Sequence, residues 1–256
     1  MLTVFFHNIS TASNLLKSGY GLSQSLKKEF GLLCYVENES KATAQREIIE
    51  QYVSENKLEN VSVIVEIHPV KFLASDCEDH EVSFLMIQCE HNRRKQLRNF
   101  LKYCRDLRIP YLFFRDRFPV MNLSKVLVPV GFLVEEYEKA QFASAFGRFC
   151  GSEITLLQAN DYGSKAAVTV GKMQELFVKF QLHFSQQRAK SDSFKLDREA
   201  LKLAEQANFG IVLISASRDY GPDDLLFGPP EYHLVKKSNV PLLLVNPRGD
   251  LYTLCD

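Results

Sequence analysis

The sequence predicts an α/β fold of two tandem domains, each a mainly parallel, five-stranded, doubly wound sheet with helices on both faces. Three observations carry this expectation. A strand-like run followed by a turn and a helix opens twice, at residues 2–8 and 125–131. Each half closes on a proline that introduces an apolar run, Pro110 before 111–114 and Pro241 before 242–245. Between these ends strand-like and helix-like periods alternate. Such alternation favours parallel pairing through right-handed crossovers, and short continuous apolar runs suit strands covered on both faces. Self-similarity at half the chain length indicates a repeated unit. The domains are expected at 1–118 and 124–256, with the boundary in a linker over 115–124 marked by charge, Pro119 and Asn122.

In the first half, a helix over 12–29 gathers Leu15, Leu16, Leu22 and Leu26, with Gly19 and Gly21 at its middle. A strand at 32–36 follows, then a helix over 41–55 carrying Ile48, Ile49, Tyr52 and Val53. Strands at 61–67 and 82–89 precede a helix over 93–107 with Leu97, Phe100, Leu101 and Cys104, and the fifth strand is 111–114. The second half repeats the itinerary. A strand at 126–130 leads to a helix over 134–149 that turns Ala140, Ala143 and Phe146 inward, and a strand at 154–159 leads to a long amphipathic helix over 168–187. A third strand is expected at 189–194, then a helix over 197–208, a strand at 211–215, a helix over 231–238 and a last strand at 242–245.

The chain has 256 residues, 46% of them hydrophobic, enough for two ordinary cores. Thirty-one basic residues balance thirty-one acidic ones, so the overall field attracts neither nucleic acid nor anionic lipid. No apolar stretch reaches the roughly 18 residues that span a bilayer, and the chain opens directly on a strand pattern. A cytoplasmic location is expected, with no membrane and no nucleic-acid partner. The six cysteines, Cys34, Cys77, Cys89, Cys104, Cys150 and Cys255, are irregularly spaced and read as reduced, mostly buried thiols. Cys77, His80, Cys89 and His91 offer zinc-type ligands, but at no established knuckle spacing and from a loop and a strand end, so no metal is expected.

The stretch 125–157 reads Lys-Val-Leu-Val-Pro-Val-Gly-Phe, then Ala140 and Ala143 in a helix, then Gly-Ser-Glu-Ile-Thr-Leu-Leu. Its counterpart at the end is Ala-Asn-Phe-Gly-Ile-Val-Leu-Ile-Ser over 207–215, a loop to Gly228, and His-Leu-Val-Lys-Lys-Ser-Asn-Val-Pro-Leu-Leu-Leu-Val over 233–245. Together they resemble a universal stress protein domain across nearly all of 125–247. The first half resembles it in itinerary and in Leu-Arg-Ile-Pro-Tyr-Leu-Phe-Phe over 107–114. The resemblance implies a tandem member of that family, with an adenine nucleotide alpha hydrolase-like fold and a role in stress response.

One branch of the family binds ATP at the carboxyl ends of the strands, through an Asp ending the first strand and a Gly-x-x-Gly loop that continues to a later Gly-Ser/Thr after the fourth. Glycine lets backbone amides approach phosphate closely, and a hydroxyl adds a donor. Here the Asp position is Gly131, the loop glycines are Ser215 and Arg218, and Pro229 replaces Ser/Thr; only Gly228 matches. Pro229 lacks the amide a phosphate would use. In the first half the Asp position is Asn8, and residues 89–110 contain no glycine; Glu90, His91, Asn92, Arg93 and Arg94 form a polar rim read as solvated charge.

The crevice residues are therefore Asn8, Gly131, Ser215, Ser217, Arg218 and Gly228, read as a degenerate nucleotide site without ATP. An alternative stays open: the Arg218 guanidinium holds a phosphate in place of glycine amides, and the crevice senses ATP, AMP or another small anion. Catalysis lacks a motif. Gly19, Gly21 and Ser23 lie inside a helical pattern and not on the strand-to-helix turn a nucleophile requires, and His7, His68, His183 and His233 have no motif partners. A protein acting by binding and interaction, not an enzyme, is expected. The runs 111–114 and 242–245 are candidate edges for an intramolecular pseudo-dimer of the two halves, or for a dimer of chains, and a protein partner is implied but not identified.

Overall fold

A computed structural model of the chain describes residues 1–90, 94–217 and 228–248. The chain is α/β, with parallel strands, and divides into two compact units, Met1–Val120 and Met121–Asp256. No helix among the described residues is long and apolar enough to cross a membrane.

The first unit runs β1 (Leu2–Phe5), α1 (Ser13–Leu26), β2 (Phe30–Tyr35), α2 (Glu39–Glu55), β3 (Val61–Glu66), α3 (Leu73–Asp79), β4 (Phe84–Cys89), α4 (Arg94–Tyr103) and β5 (Tyr111–Arg115). Its strands lie in the order β3-β2-β1-β4-β5, each pair parallel, with Val4 level with Leu32 on one side and Met86 on the other. Burial on both faces explains why β1, β2 and β4 are mostly apolar, with Thr3 and Gln88 the polar residues among their buried positions. α1 crosses β1 so closely that a methyl at Gly19 would stand 2.4 Å from Val4 Cγ2. The helix stops where Lys27 turns left-handed (φ 53) and the Lys28 N–H reaches the Ser23 carbonyl (2.9 Å). α2 begins earlier than expected because Asn38 caps it, its Oδ1 accepting from the Lys41 N–H at 3.0 Å. Only Ala42 and Ile49 of α2 are buried, and Arg46 reaches over to donate to the Val63 carbonyl of β3 (3.3 Å).

The second unit runs β6 (Lys125–Val130), α5 (Lys139–Cys150), β7 (Glu153–Gln158), α6 (Lys165–Lys179), β8 (Phe184–Arg188), α7 (Leu196–Gln206), β9 (Ile211–Ser215), α8 (Pro230–Lys237) and β10 (Leu242–Val245). Its order, β8-β7-β6-β9-β10, repeats that of the first unit strand for strand. The backbone of 121–124 presses on the start of β9: a methyl at Gly210 would lie 1.6 Å from the Asn122 carbonyl oxygen, and the Gly210 N–H donates to the Lys125 carbonyl (3.0 Å).

The third strand of this unit is displaced from its expected place. It occupies 184–188, overlapping the end of the stretch read as helix, while 189–194 is a loop. α6 ends at Lys179 because Gln181 turns left-handed (φ 54) and the Leu182 N–H closes on the Phe177 carbonyl (3.0 Å). β8 is an end strand whose Gln186, Gln187 and Arg188 are exposed, so no apolar alternation marks it. Polar pairs hold it instead: Gln186 donates to Gln158 (2.7 Å) and accepts from Gln174 (2.8 Å), and Ser185 meets Thr155 at 3.1 Å.

Cys34, Cys77, Cys89 and Cys104 are buried, and Cys150 is half-buried. Burial pushes the Cys34 thiol up to about 11 and Cys77 up to about 12, so both stay protonated at neutral pH. Cys77 lies in α3 and Cys89 ends β4; His91 and Cys255 lie outside the described residues.

Candidate functional site

In an open parallel sheet, ligand crevices form beyond the carboxyl ends of the strands. In the first unit Gln88, near the end of β4 and fully buried, stands at that place. Its Oε1 accepts from the His7 N–H (2.8 Å) and the Asn8 N–H (3.4 Å), and its Nε2 donates to Thr11 Oγ1 (2.9 Å) and Asp116 Oδ1 (3.0 Å). The amide thus ties the ends of β1, β4 and β5 with its own hydrogen bonds. Asn8 is equally committed. Its Oδ1 accepts from both the backbone N–H (2.9 Å) and the hydroxyl (2.8 Å) of Ser10, capping the 3-10 turn Ile9–Thr11. Of the polar rim, residues 91–93 lie outside the described residues.

A second polar group in this unit was not foreseen. Tyr35, Glu66, His68, Asp76 and His80 meet at the carboxyl ends of β2 and β3. The Tyr35 hydroxyl donates to Asp76 (2.5 Å), His68 Nε2 lies 3.2 Å from Glu66 and 3.3 Å from Asp76, and His80 Nε2 lies 2.8 Å from Glu66. Burial raises the Asp76 carboxyl above its ordinary range, opposed by the Tyr35 hydrogen bond and the neighbouring histidines. Among the described residues, no group of three or more His, Cys, Asp or Glu side chains is placed to hold a metal ion.

The second unit has an open crevice of about 430 Å³ at the ends of β6 and β9. Three of the expected residues, Gly131, Ser215 and Ser217, line it together. Asn8 belongs to the other unit, and Arg218 lies outside the described residues. Gly228 is not part of the lining: at φ +85 it turns the chain into α8, with its missing methyl directed 3.0 Å from the Tyr232 ring. A larger groove of about 910 Å³ runs along α6 and, among the described residues, shares Phe132, Leu133 and Glu135 with the crevice.

Gly131 has a local reason. A methyl there would lie 2.9 Å from Ser193 Oγ, because the loop after β8 leans over the end of β6. Ser193 Oγ accepts from the Phe132 N–H (2.9 Å) and donates to Asp161 (2.5 Å), which also accepts from the Ser193 N–H (2.8 Å). The position of the ATP-binding branch's carboxylate is thus crowded by a serine from a neighbouring loop.

Carboxylates dominate the crevice floor. Glu136, Asp197 and Glu231 all line it, each from the first turn of a helix: Glu136 from the 3-10 turn Val134–Glu138, Asp197 from α7, Glu231 from α8. The Lys139 ammonium beside them is buried and already engaged, donating to the Pro129 carbonyl (2.5 Å) and to Glu136 (2.6 Å). Glu136 also accepts from the Gly131 N–H (3.2 Å). Burial pushes the Asp197 carboxyl up to about 6; Lys139 opposes the rise while Glu136 and Glu231 reinforce it. Glu231 is buried, one oxygen accepts from the Ser217 N–H, and the other has no hydrogen-bond partner among the described residues. Like charges at such range disfavour a further anion, so this floor opposes a polyphosphate. An acid in the first turn is an ordinary helix-start signal; nothing in the sequence reveals that three such starts converge.

No protein-family model matches the chain, and no curated protein matches it. Solved structures do. A universal stress protein from Archaeoglobus fulgidus DSM 4304 superposes with a TM-score of 0.68 at 16% identity, covering 97% of both chains. A functionally unknown protein from Pseudomonas aeruginosa PAO1 gives 0.60 at 12%, covering 96% of this chain and 92% of its own. The cytoplasmic domain of a prokaryotic cation chloride cotransporter gives 0.60 at 12%, covering 95% and 93%. These likenesses establish the fold.

Proposed function

We propose, for a chain with the universal stress protein fold, a tandem two-domain protein that serves the stress response by binding and interaction and not by catalysis. Neither crevice retains ATP in this reading. The observation that carries it is the floor of the second crevice, where Glu136, Asp197 and Glu231 stand in a pocket shared with Ser215 and Ser217. The first crevice supports it through Gln88, whose hydrogen bonds span the strand ends. Thermal unfolding with ATP, ADP and AMP plus magnesium tests the reading directly. Ligand that binds only the native state stabilises by mass action, so a micromolar site at millimolar nucleotide raises the midpoint by several degrees. No shift is expected; a rise of that size sinks the reading and favours a small-anion sensor.

The two halves, expected at 1–118 and 124–256, pair as an intramolecular pseudo-dimer through β5 and β10. Each of these strands ends its own unit's order and is apolar throughout its buried length, and such an edge favours pairing. The protein is then a monomer in solution. Light scattering coupled to size exclusion reads this, and the mass of two chains at all concentrations contradicts it.

A further inference from the structure

We infer that the crevice of the second unit binds a small organic cation, a protonated amine carried on a short apolar body, with Glu231 and Asp197 as its carboxylate partners. This rests on the reading above that the crevice has lost its nucleotide, and it names what the same pocket takes instead. Three independent features of the pocket agree.

Charge is the first. Four carboxylates, Glu135, Glu136, Asp197 and Glu231, line the pocket, and the neighbouring Lys139 ammonium is already bound to Glu136 and a backbone carbonyl. Burial raises the Asp197 carboxyl, and Glu136 and Glu231 add to the rise. Hydrogen bonding is the second. Glu231 is 2% exposed, and its Oε2 accepts nothing among the described residues, although a buried carboxylate oxygen without a donor is costly. An ammonium carries three donors and would satisfy it. The walls are the third. Phe132, Phe194, Leu196, Leu234, Pro230 and Pro247 supply apolar surface around the acids. The Phe132 and Phe194 rings meet at 5.7 Å, and Phe194 is 85% exposed; aromatic faces of this kind attract cations within about 6 Å. A bare metal ion would leave most of the 430 Å³ unused and finds no set of three ligands among the described residues. An amine with a short hydrocarbon chain uses both the acids and the walls.

Calorimetric titration of the full chain with n-butylamine at neutral pH tests this, with n-butanol as the uncharged isostere and magnesium ATP in a parallel arm. Butylamine is expected to bind and butanol not to. Glu231→Gln keeps the side-chain shape and the acceptor for the Ser217 N–H, yet should weaken amine binding by about tenfold or more, the usual cost of removing the charge from a charge-assisted bond. Should that variant not fold, Asp197→Asn carries the same expectation. Absence of amine binding, equal binding of butanol, or an undiminished affinity in the folded variant overturns the inference while leaving the proposed function standing. Binding of ATP by the wild type would bring down the proposed function itself.

Discussion

Replacing Gly210 with alanine is expected to destabilise the Met121–Asp256 unit by about 3 kcal/mol or more, the upper range for overpacking against a fixed backbone. The added methyl would sit 1.6 Å from the Asn122 carbonyl oxygen and 2.6 Å from its carbon. No rotamer change relieves a clash with main chain. Nor can the glycine retreat freely, because its N–H is bonded to the Lys125 carbonyl at 3.0 Å. Gly21→Ala is the matched control: it lies in α1 with nothing within 4 Å of the new methyl, and should gain about 0.5–1 kcal/mol from helix propensity. Urea denaturation of both variants reads the contrast. An unchanged midpoint for Gly210→Ala would show that 121–124 does not run against β9.

Asp197→Asn should do the opposite and stabilise the protein near neutral pH. The Asp197 carboxyl rises from an ordinary 3.8 to about 6, chiefly through burial. Between those values the native state keeps a proton that the unfolded chain has released, so stability falls as pH climbs and the full penalty applies above about 6. A shift of this size converts to about 3 kcal/mol at most. The realised gain should be smaller, about 1–2 kcal/mol, because Asp197 lies in the first turn of α7, where helix amides favour a carboxylate. Melting curves should therefore separate wild type and variant by a few degrees at pH 7 and converge by about pH 4. Parallel curves across that range would show that burial does not raise the Asp197 carboxyl. A variant that is more stable but binds amine less well would show the usual exchange between stability and function at a site.

Much of this architecture was legible in the residues. Largely apolar runs such as those of β1, β4 and β10 have one reading in a chain that alternates strand and helix, and the repeat followed from them. The misplaced third strand of the second unit has a physical cause: β8 is held by amide and hydroxyl pairs, so hydrophobic periodicity carries no trace of it. At the crevice, Gly131, Ser215 and Ser217 could be found by position after each strand. Glu136, Asp197 and Glu231 could not, because their importance lies in convergence from position 136 to position 231, farther than spacing rules at helix starts reach. Gln88 was hidden similarly. Inside an apolar strand it reads as one polar interruption, and its four partners come from separate segments.

The treatment of the end strands bears on how the protein survives crowded or denaturing conditions. An unpaired strand edge is a template for adding foreign chain and, eventually, for fibril growth. β3 carries Val61, Val63, Ile64 and Val65, the kind of sequence that would extend readily, yet Arg46 of α2 occupies one of its carbonyls with a charged group. β8 reaches the same end by composition, presenting Gln186, Gln187 and Arg188 to solvent. The guard on β3 is attached to the native state alone: α2 must be folded for Arg46 to reach it. Partial unfolding of that helix would therefore expose a sticky ribbon before the core itself gives way.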